Sequence, residues 1–218
     1  MNGKLIVIEG LDGSGKSTQT DLLRERLGGS VRFVKFPDYD DPSSTLVKMY
    51  LKGEFGSSAS DVNAYATSLL YAVDRFASYK RHWQGDYAEG KTILCDRYTT
   101  SNAVHQMSKM PRGEWESYLD WLYDTEFCKM GIPKPDAVVF LDVPVEVSQR
   151  LMSERYSGDE GKKDIHERDI AYLEHCYKCA LFAAEYLGWT VIKCTENGQM
   201  RPVEDIADEV YSAVKAAL

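Results

Sequence analysis

The sequence contains no long hydrophobic run. A membrane-spanning helix needs about 18 or more consecutive apolar residues, and no such stretch occurs in this chain of 218 residues. The chain is therefore expected not to span a membrane. Its first apolar segment includes Glu9 and leads at once into a Gly-rich turn, which is unlike a signal peptide.

The cysteines lack the even number and regular spacing of a disulfide framework. Five occur, at Cys95, Cys128, Cys176, Cys179 and Cys194, which favours reduced thiols in a cytoplasmic protein. Cys176 and Cys179 form a Cys-x-x-Cys pair, but no second pair of ligands follows. Two thiols buried on a helix are therefore favoured over a zinc site.

Basic residues are too few to make the chain positive. The 26 Lys and Arg residues are outnumbered by 34 Asp and Glu residues, so the net charge is −8 and the isoelectric point is about 5.1. Proteins that bind nucleic acids usually carry a basic face, so no nucleic-acid partner is expected. A small anionic ligand needs only a few local cations and is compatible with this balance.

Short apolar runs alternate with helical patterns along the chain. The runs predict strands at residues 5–8, 31–36, 92–95, 137–141 and 190–194. Helices are predicted at 16–27, at 61–83 with Ser60 as N-cap, after Pro144, and at 203–217. This alternation predicts an α/β fold of three layers, with a five-stranded parallel sheet flanked by helices. Without an internal repeat or linker, a single domain over residues 1–218 is expected, with a mobile loop near 156–163.

A phosphate-binding loop follows the first predicted strand. Residues 10–17 read GLDGSGKS and match the pattern G-x-x-x-x-G-K-[ST] completely. In this motif the glycines let backbone N–H groups surround phosphate oxygens, the lysine contacts the β- and γ-phosphates, and the hydroxyl binds Mg²⁺. The alternative, a Gly-rich turn without chemistry, is disfavoured because a strand precedes the motif and a helix follows it. The predicted ATP ligands are Gly10, Leu11, Asp12, Gly13, Ser14, Gly15, Lys16, Ser17 and Thr18.

The guanine-reading sequence Asn-Lys-x-Asp is missing, since no Asn-Lys pair occurs. A small kinase is therefore favoured over a GTPase.

A second candidate site follows the third predicted strand. Asp96 and Arg97 stand at the carboxyl end of this strand, and this is the edge at which ligands bind in open α/β sheets. Asp96 is predicted to join Ser17 at the Mg²⁺ site, and Arg97 to contact phosphate oxygens. The alternative is a structural Asp–Arg pair.

Several segments together resemble the thymidylate kinases, P-loop enzymes that phosphorylate dTMP. They are the opening IVIEGLDGSGKST, the Phe36-Pro37 pair, the LYAVDR run at 70–75, the Asp96-Arg97-Tyr98 triplet with Ser101, PKPD at 133–136, and the VVFLDV run ending at Val143. The resemblance covers nearly the whole chain. It implies ATP and Mg²⁺ as cofactors, a homodimer, and a mobile lid at about 154–165.

The resemblance also implies roles for individual residues. The implied catalytic residues are Lys16, Asp12, Arg97 and Arg155, with Asp12 near the sugar 3′-hydroxyl and Arg155 in the lid. Arg150 is expected to pack on the adenine of ATP. The implied acceptor site has Tyr71 stacking on thymine, Arg75 reading the base edge and Arg97 on the acceptor phosphate. Its residues are Phe36, Tyr71, Arg75, Arg97, Ser101 and His105.

Some relatives carry a basic residue inside the phosphate loop, where this chain has Gly13. We hypothesise that lid cations, Arg155, Lys162 and Lys163, supply that charge. A lysine pair in a charged loop is also typical of a solvated surface.

Structural alternatives also exist for three of the implied binding residues. Tyr71 and Arg75 are spaced like a surface cation–aromatic pair, and Arg150 is spaced to pair with Glu146 or Glu154.

The chain departs from the family pattern in the acceptor pocket. The family usually carries an arginine shortly after the Phe-Pro pair, where this chain has Asp38 and Tyr39. It also tends to carry Tyr or Phe, placed over the deoxyribose, at the position of His105. Kinases for another nucleotide or for a nucleoside therefore stay open as alternatives. An ATP-binding regulator without phosphoryl transfer is a further alternative, which the predicted acceptor site disfavours.

Overall fold

The computed structural model describes residues 2–56, 58–155 and 170–218. Its central sheet has five parallel strands in the order β2-β3-β1-β4-β5. The strands are β1 Leu5–Glu9, β2 Val31–Lys35, β3 Thr92–Asp96, β4 Ala137–Asp142 and β5 Thr190–Lys193. The predicted α/β fold is confirmed. Each predicted strand differs from the observed one by a single residue at its carboxyl end.

Helices connect the strands and cover the sheet. They are α1 Lys16–Leu27, α2 Thr45–Leu51, α3 Ala64–Ser78, α4 Gln84–Ala88, α5 Thr100–His105, α6 Trp115–Tyr123, α7 Val145–Arg155, α8 Ile170–Leu187 and α9 Val203–Ala217. Single π-helical segments follow α3 and α6, at Tyr79–Trp83 and Asp124–Lys129. A short antiparallel hairpin, β6 Thr195–Glu196 and β7 Gln199–Met200, precedes α9. Within the described ranges, every helix falls short of the length and apolar character of a membrane span.

The long helix predicted at 61–83 is divided in the structure, so that prediction is wrong in its details. Ser60 lies in a separate 3₁₀ turn, Ala59–Asp61, and does not cap α3. Asn63 is the cap, because its side-chain oxygen accepts a hydrogen bond from Ala66 N at 2.8 Å. The π-helical segment ends α3 at Ser78.

Both faces of the sheet are buried, as expected for parallel strands. Along β1, Leu5 and Val7 belong to one hydrophobic cluster, and Ile6 and Ile8 to the other. On the second face, α1 and α9 pack with Leu23, Ile206, Val210 and Val214. The helix predicted at 203–217 is therefore confirmed, and one side of it belongs to the core.

The Cys-x-x-Cys pair lies on α8, where Cys176 and Cys179 are fully buried. Burial raises the pKa of the Cys176 thiol to about 12. The interpretation of this pair as buried helical thiols is confirmed. All five cysteines carry free thiols.

The strand register brings three loops to one edge of the sheet. Asp96, at the end of β3, pairs with Ile8 of β1 and with Lys35 of β2. The phosphate loop follows β1, and Phe36-Pro37 follows β2. The carboxyl ends of these strands are therefore neighbours, so the predicted site residues converge there.

Candidate active site

The phosphate loop has a backbone that requires glycine. Gly13 and Gly15 adopt φ angles of 77° and 81°, in the left-handed region. A Cβ atom at Gly13 would lie 2.5 Å from the backbone oxygen of Ser148 and 2.8 Å from Cγ of Met152, both on α7. The helix therefore fills the space that a side chain at position 13 would need, and this loop cannot carry its own basic residue there.

Lys16 extends back across the loop. Its Nζ donates hydrogen bonds of 2.7 Å to the carbonyl oxygens of Gly10 and Leu11. Burial, with the positive charge of Arg97, lowers the pKa of Lys16 to about 8, although Asp12 opposes the shift. The ammonium group thus stands in the loop itself, where an anionic phosphate would compensate for its burial.

A cleft in front of the loop, here called the phosphate cleft, contains the predicted metal ligands. Its lining includes Asp12, Gly13, Ser14, Gly15, Lys16, Ser17, Thr18, Lys35, Phe36, Pro37, Tyr39, Asp96, Arg97, Leu151 and Met152. Asp96 is 3% exposed, and its Oδ1 receives no hydrogen bond from the described part of the chain. A buried carboxylate oxygen without a hydrogen-bond donor and an alcohol that lines the same cleft suit Mg²⁺, which prefers hard oxygen ligands. Asp96 and Ser17 therefore fit the ion.

Arg97 is held in an unusual backbone conformation. Its φ of 67° is in the left-handed region, and its N–H donates to the oxygen of Ile8 at 3.1 Å. Its Nη2 donates to Asp12 Oδ1 at 2.5 Å. Burial opposes the guanidinium charge, but the carboxylates of Asp12, Glu9 and Asp96 raise the pKa of Arg97 above its usual value. The charged side chain is thereby fixed beside the phosphate loop.

Glu9 organises the other side of Arg97. It is fully buried, and its Oε2 accepts hydrogen bonds of 2.7 Å from Thr100 and Ser101 at the start of α5. Its Oε1 accepts from Gly10 N at 2.9 Å and lies 3.5 Å from Arg97 Nη1. One carboxylate therefore joins the phosphate loop, Arg97 and α5.

A second pocket, here called the Tyr71 pocket, adjoins the phosphate cleft. It is lined by Asp12, Phe36, Pro37, Tyr39, Leu51, Tyr71, Arg75, Arg97, Tyr98, Ser101, Asn102, His105 and Gln106. The structure thus brings together all the predicted acceptor residues. Five residues line both sites: Asp12, Phe36, Pro37, Tyr39 and Arg97. Among them, Asp12 and Arg97 form an ion pair at the boundary.

Arg75 is a buried residue, so its interpretation as a surface cation–aromatic partner is wrong. It is 2% exposed and donates from Nε and Nη2 to the two carboxylate oxygens of Glu126, at 2.7 and 2.5 Å. Glu126 also accepts from Thr99 Oγ1 at 2.8 Å and from Asn102 Nδ2 at 3.4 Å. The pair fixes the guanidinium at the wall of the Tyr71 pocket.

Replacing Glu126 by Gln is expected to lower the free energy of unfolding by about 3 kcal/mol, because it leaves the buried charge of Arg75 without its counter-ion. Urea denaturation measures this change. The matched control is Glu204→Gln, since Glu204 is exposed and pairs with Arg26 at the surface; it should cost far less, because solvent screens a surface ion pair. Equal costs for the two variants would contradict the assigned importance of the buried pair.

The chain departs from the family pattern at Tyr39 and His105, and both residues line the Tyr71 pocket. Tyr39 lines both sites. His105 Nε2 accepts a hydrogen bond from Arg97 Nη1 at 3.2 Å, because a guanidinium can only donate. Its ring stacks on Tyr172 of α8, with centroids 6.4 Å apart. His105 therefore orients Arg97 as well as lining the pocket.

The remaining predicted residues lie away from these two sites or outside the described part. Arg150 is exposed on α7 and donates to the oxygen of Gly198 and to Gln199 Oε1, rather than pairing with Glu146 or Glu154. Its contact with adenine stays a prediction. Lys162 and Lys163 fall outside the described residues, as does the side chain of Arg155, so the lid hypothesis also stays a prediction.

Glu9, Asn102 and Glu126 are among the residues that build the site without having been identified as site residues from sequence. Glu9 had a signal, because an acidic residue inside a wholly apolar strand needs a buried partner. Glu126 and Asn102 had none, since their partners are distant in sequence.

Comparison with known proteins agrees with this geometry. Residues 8–206 match the family model described as thymidylate kinase. The thymidylate kinase of Mycobacterium tuberculosis is 35% identical over 170 residues, which cover 76% of this chain and 78% of that protein. A probable thymidylate kinase of Pyrococcus abyssi is 31% identical, covering 100% of this chain and 98% of the relative. The solved thymidylate kinase of Candida albicans shares the fold, with a TM-score of 0.73 at 22% identity, over 99% of this chain and 92% of that one. The chain therefore belongs to the thymidylate kinase family.

Proposed function

We propose that this chain transfers the γ-phosphoryl group of ATP to dTMP, giving ADP and dTDP. The observation that carries the proposal is the shared boundary of the two sites. The phosphate cleft and the Tyr71 pocket meet at Asp12 and Arg97, so a donor in one and an acceptor in the other would face each other there. A regulator that only holds ATP needs no such second pocket.

Phosphoryl transfer depends mainly on positioning and on neutralising charge. In this proposal Lys16 neutralises the donor phosphates, and Arg97 holds the acceptor phosphate. Asp12 orients Arg97 through their ion pair. Mg²⁺, when bound, would neutralise further phosphate charge, and Ser17 and Asp96 would hold it.

Acceptor recognition is assigned to the inner wall of the Tyr71 pocket. The ring of Tyr71 offers a face for the base, and Arg75 offers N–H donors to a base carbonyl. Glu126 and the Tyr98 oxygen engage three of the five N–H groups of Arg75, which leaves donors for a ligand. A base that presents a carbonyl to this wall, such as thymine, suits these donors.

ADP release tests the proposal. The assay contains ATP and Mg²⁺ with dTMP, dUMP, dCMP, dGMP, UMP or thymidine as acceptor. Preference for dTMP supports the proposal, and shows that Tyr39 and His105 are compatible with it. Preference for another acceptor would keep the kinase mechanism and reassign the pocket. Tight ATP binding without turnover on any acceptor would favour the regulator.

We also propose a single-domain, cytoplasmic enzyme that forms a homodimer through α3. Four apolar side chains, each 37–48% exposed, follow one another along this helix at near-helical spacing: Tyr65, Leu69, Val73 and Phe76. Such a stripe on a surface helix is typical of an interface. A second copy of the chain would present the same stripe and cover it.

The change Leu69→Glu is expected to halve the mass of the protein in solution, because it places a charge in the proposed interface. Light scattering after size exclusion measures the mass. The matched control is Val203→Glu on α9, since Val203 is 47% exposed but lies outside the stripe. A wild-type monomer, or a dimer in both variants, would contradict this interface.

A further inference from the structure

Lys109 carries a half-buried ammonium group without a carboxylate partner in the described ranges. The residue ends the 3₁₀ turn Met107–Lys109, just after α5. Its Nζ donates to Tyr50 Oη at 3.1 Å and, at 3.0 Å each, to the oxygen of Val62 and to Thr67 Oγ1. All three N–H donors are therefore used, each by a neutral oxygen. Burial lowers the pKa of Lys109 to about 8.

The three acceptors come from different segments. Tyr50 belongs to α2, Val62 lies just before α3, and Thr67 is in the first turns of α3. Lys109 Nζ also lies 5.1 Å from the centre of the Tyr50 ring, within the range of a cation–π contact. Since Tyr50 is only 2% exposed, one ammonium group fixes both its hydroxyl and its ring.

Tyr50 in turn contacts the pocket. Its ring meets the ring of Tyr71 edge to face, with centroids 6.4 Å apart and an interplanar angle of 81°. Its neighbour Leu51 lines the Tyr71 pocket together with Tyr71 itself. Lys109 is not part of that lining. Of the three residues to which it donates, Tyr50 is the one whose ring meets Tyr71, so the contact with Tyr50 is the direct route to the pocket.

We propose that Lys109 is a positioning residue for the acceptor: it holds Tyr50, and Tyr50 holds the ring of Tyr71 at the angle on which a base packs. The inference rests on the proposed function, in which Tyr71 contacts the base. Lys109 contacts neither the phosphate cleft nor its loop, so it acts on acceptor affinity and leaves the donor site unchanged.

The first test replaces Lys109 by Met, which keeps an unbranched apolar side chain and removes the ammonium group. The KM for dTMP should rise about ten-fold, the scale of a lost charged hydrogen bond, while kcat and the KM for ATP stay within about two-fold. The matched control is Lys52→Met, because Lys52 is exposed at the end of α2; it should change neither constant. An unchanged KM for dTMP would overturn the inference.

The second test asks whether the effect passes through Tyr71. In a Tyr71→Ala background, Lys109→Met should no longer raise the KM for dTMP, because the ring that it positions is gone. A full ten-fold rise in that background would overturn the inference. If Lys109→Met does not fold, Tyr50→Phe serves instead, because it removes one hydrogen-bond acceptor of Lys109. It should raise the KM for dTMP about three-fold when Tyr71 is present, and should leave the KM unchanged in the Tyr71→Ala background.

The controls separate this inference from the proposed function. A wild-type protein without dTMP turnover contradicts the proposed function. A KM that Tyr71→Ala leaves unchanged contradicts the role of Tyr71 and removes the basis of the inference. If the wild type turns over dTMP and Tyr71→Ala raises the KM for dTMP, but Lys109→Met leaves it unchanged, only the inference about Lys109 is overturned.

Discussion

Replacing Arg97 by Lys is expected to lower kcat by roughly 10²–10³-fold, the scale of losing one preorganised donor to the transition state. The guanidinium holds Asp12 with Nη2 and reaches Ser101 and His105 with Nη1. A lysine keeps one positive charge but has no fork, so it cannot hold Asp12 and an acceptor phosphate together. The loss is expected in the chemical step.

Lys is a suitable replacement because it does not alter the backbone requirement. Position 97 has a φ of 67°, which costs Lys about as much as Arg because both side chains are unbranched at Cβ, so folding should be preserved. Arg26→Lys is the matched control, since Arg26 pairs with Glu204 and Asp208 far from the site. Steady-state kinetics with ATP and dTMP measure kcat. A value within about three-fold of the wild type would remove Arg97 from the proposed mechanism.

Replacing Lys16 by Met is expected to reduce kcat on the order of 10³-fold, because the donor phosphates lose the charge that the loop places among them. Met keeps an unbranched apolar side chain, similar in size to the methylene chain of lysine. It cannot form the two bonds of 2.7 Å to Gly10 and Leu11. Lys35→Met is the comparison, since Lys35 lines the same cleft but is 56% exposed and should matter far less. Equal activity losses in the two variants would contradict a special role for Lys16.

The same substitution should change how stability depends on pH. Burial lowers the pKa of Lys16 from 10.5 to about 8. Between these values the unfolded chain keeps a proton that the folded protein releases, so Lys16 by itself makes the ligand-free protein more stable as the pH rises. The buried thiols, such as Cys176, act in the opposite direction, because burial raises their pKa and the unfolded chain loses their protons first. These groups and Lys109 are common to both proteins, so the contribution of Lys16 is the difference between them. From pH 8 to pH 10 the urea midpoint of the wild type should change more favourably than that of Lys16→Met.

The sequence by itself determined the sheet and the phosphate loop. Hydrophobic runs and turn residues act locally, so each strand was predicted to within one residue and the loop was identified completely. The family resemblance added residues that the structure does bring together in the Tyr71 pocket. The helix start at Ala64 was missed, because Ser60 and Asn63 are both good capping residues and only the chain path selects between them.

Only the tertiary structure decided how the site residues are held. Arg75 and Glu126 are 51 positions apart, and Asp12 and Arg97 are 85 apart. No local pattern connects such residues, because their contact arises from strand order and helix packing. The same reason applies to Lys109, whose amine meets oxygens from two other helices. Sequence therefore specified which groups the enzyme possesses, and the packing of distant segments set their partners, their charge states and their orientation.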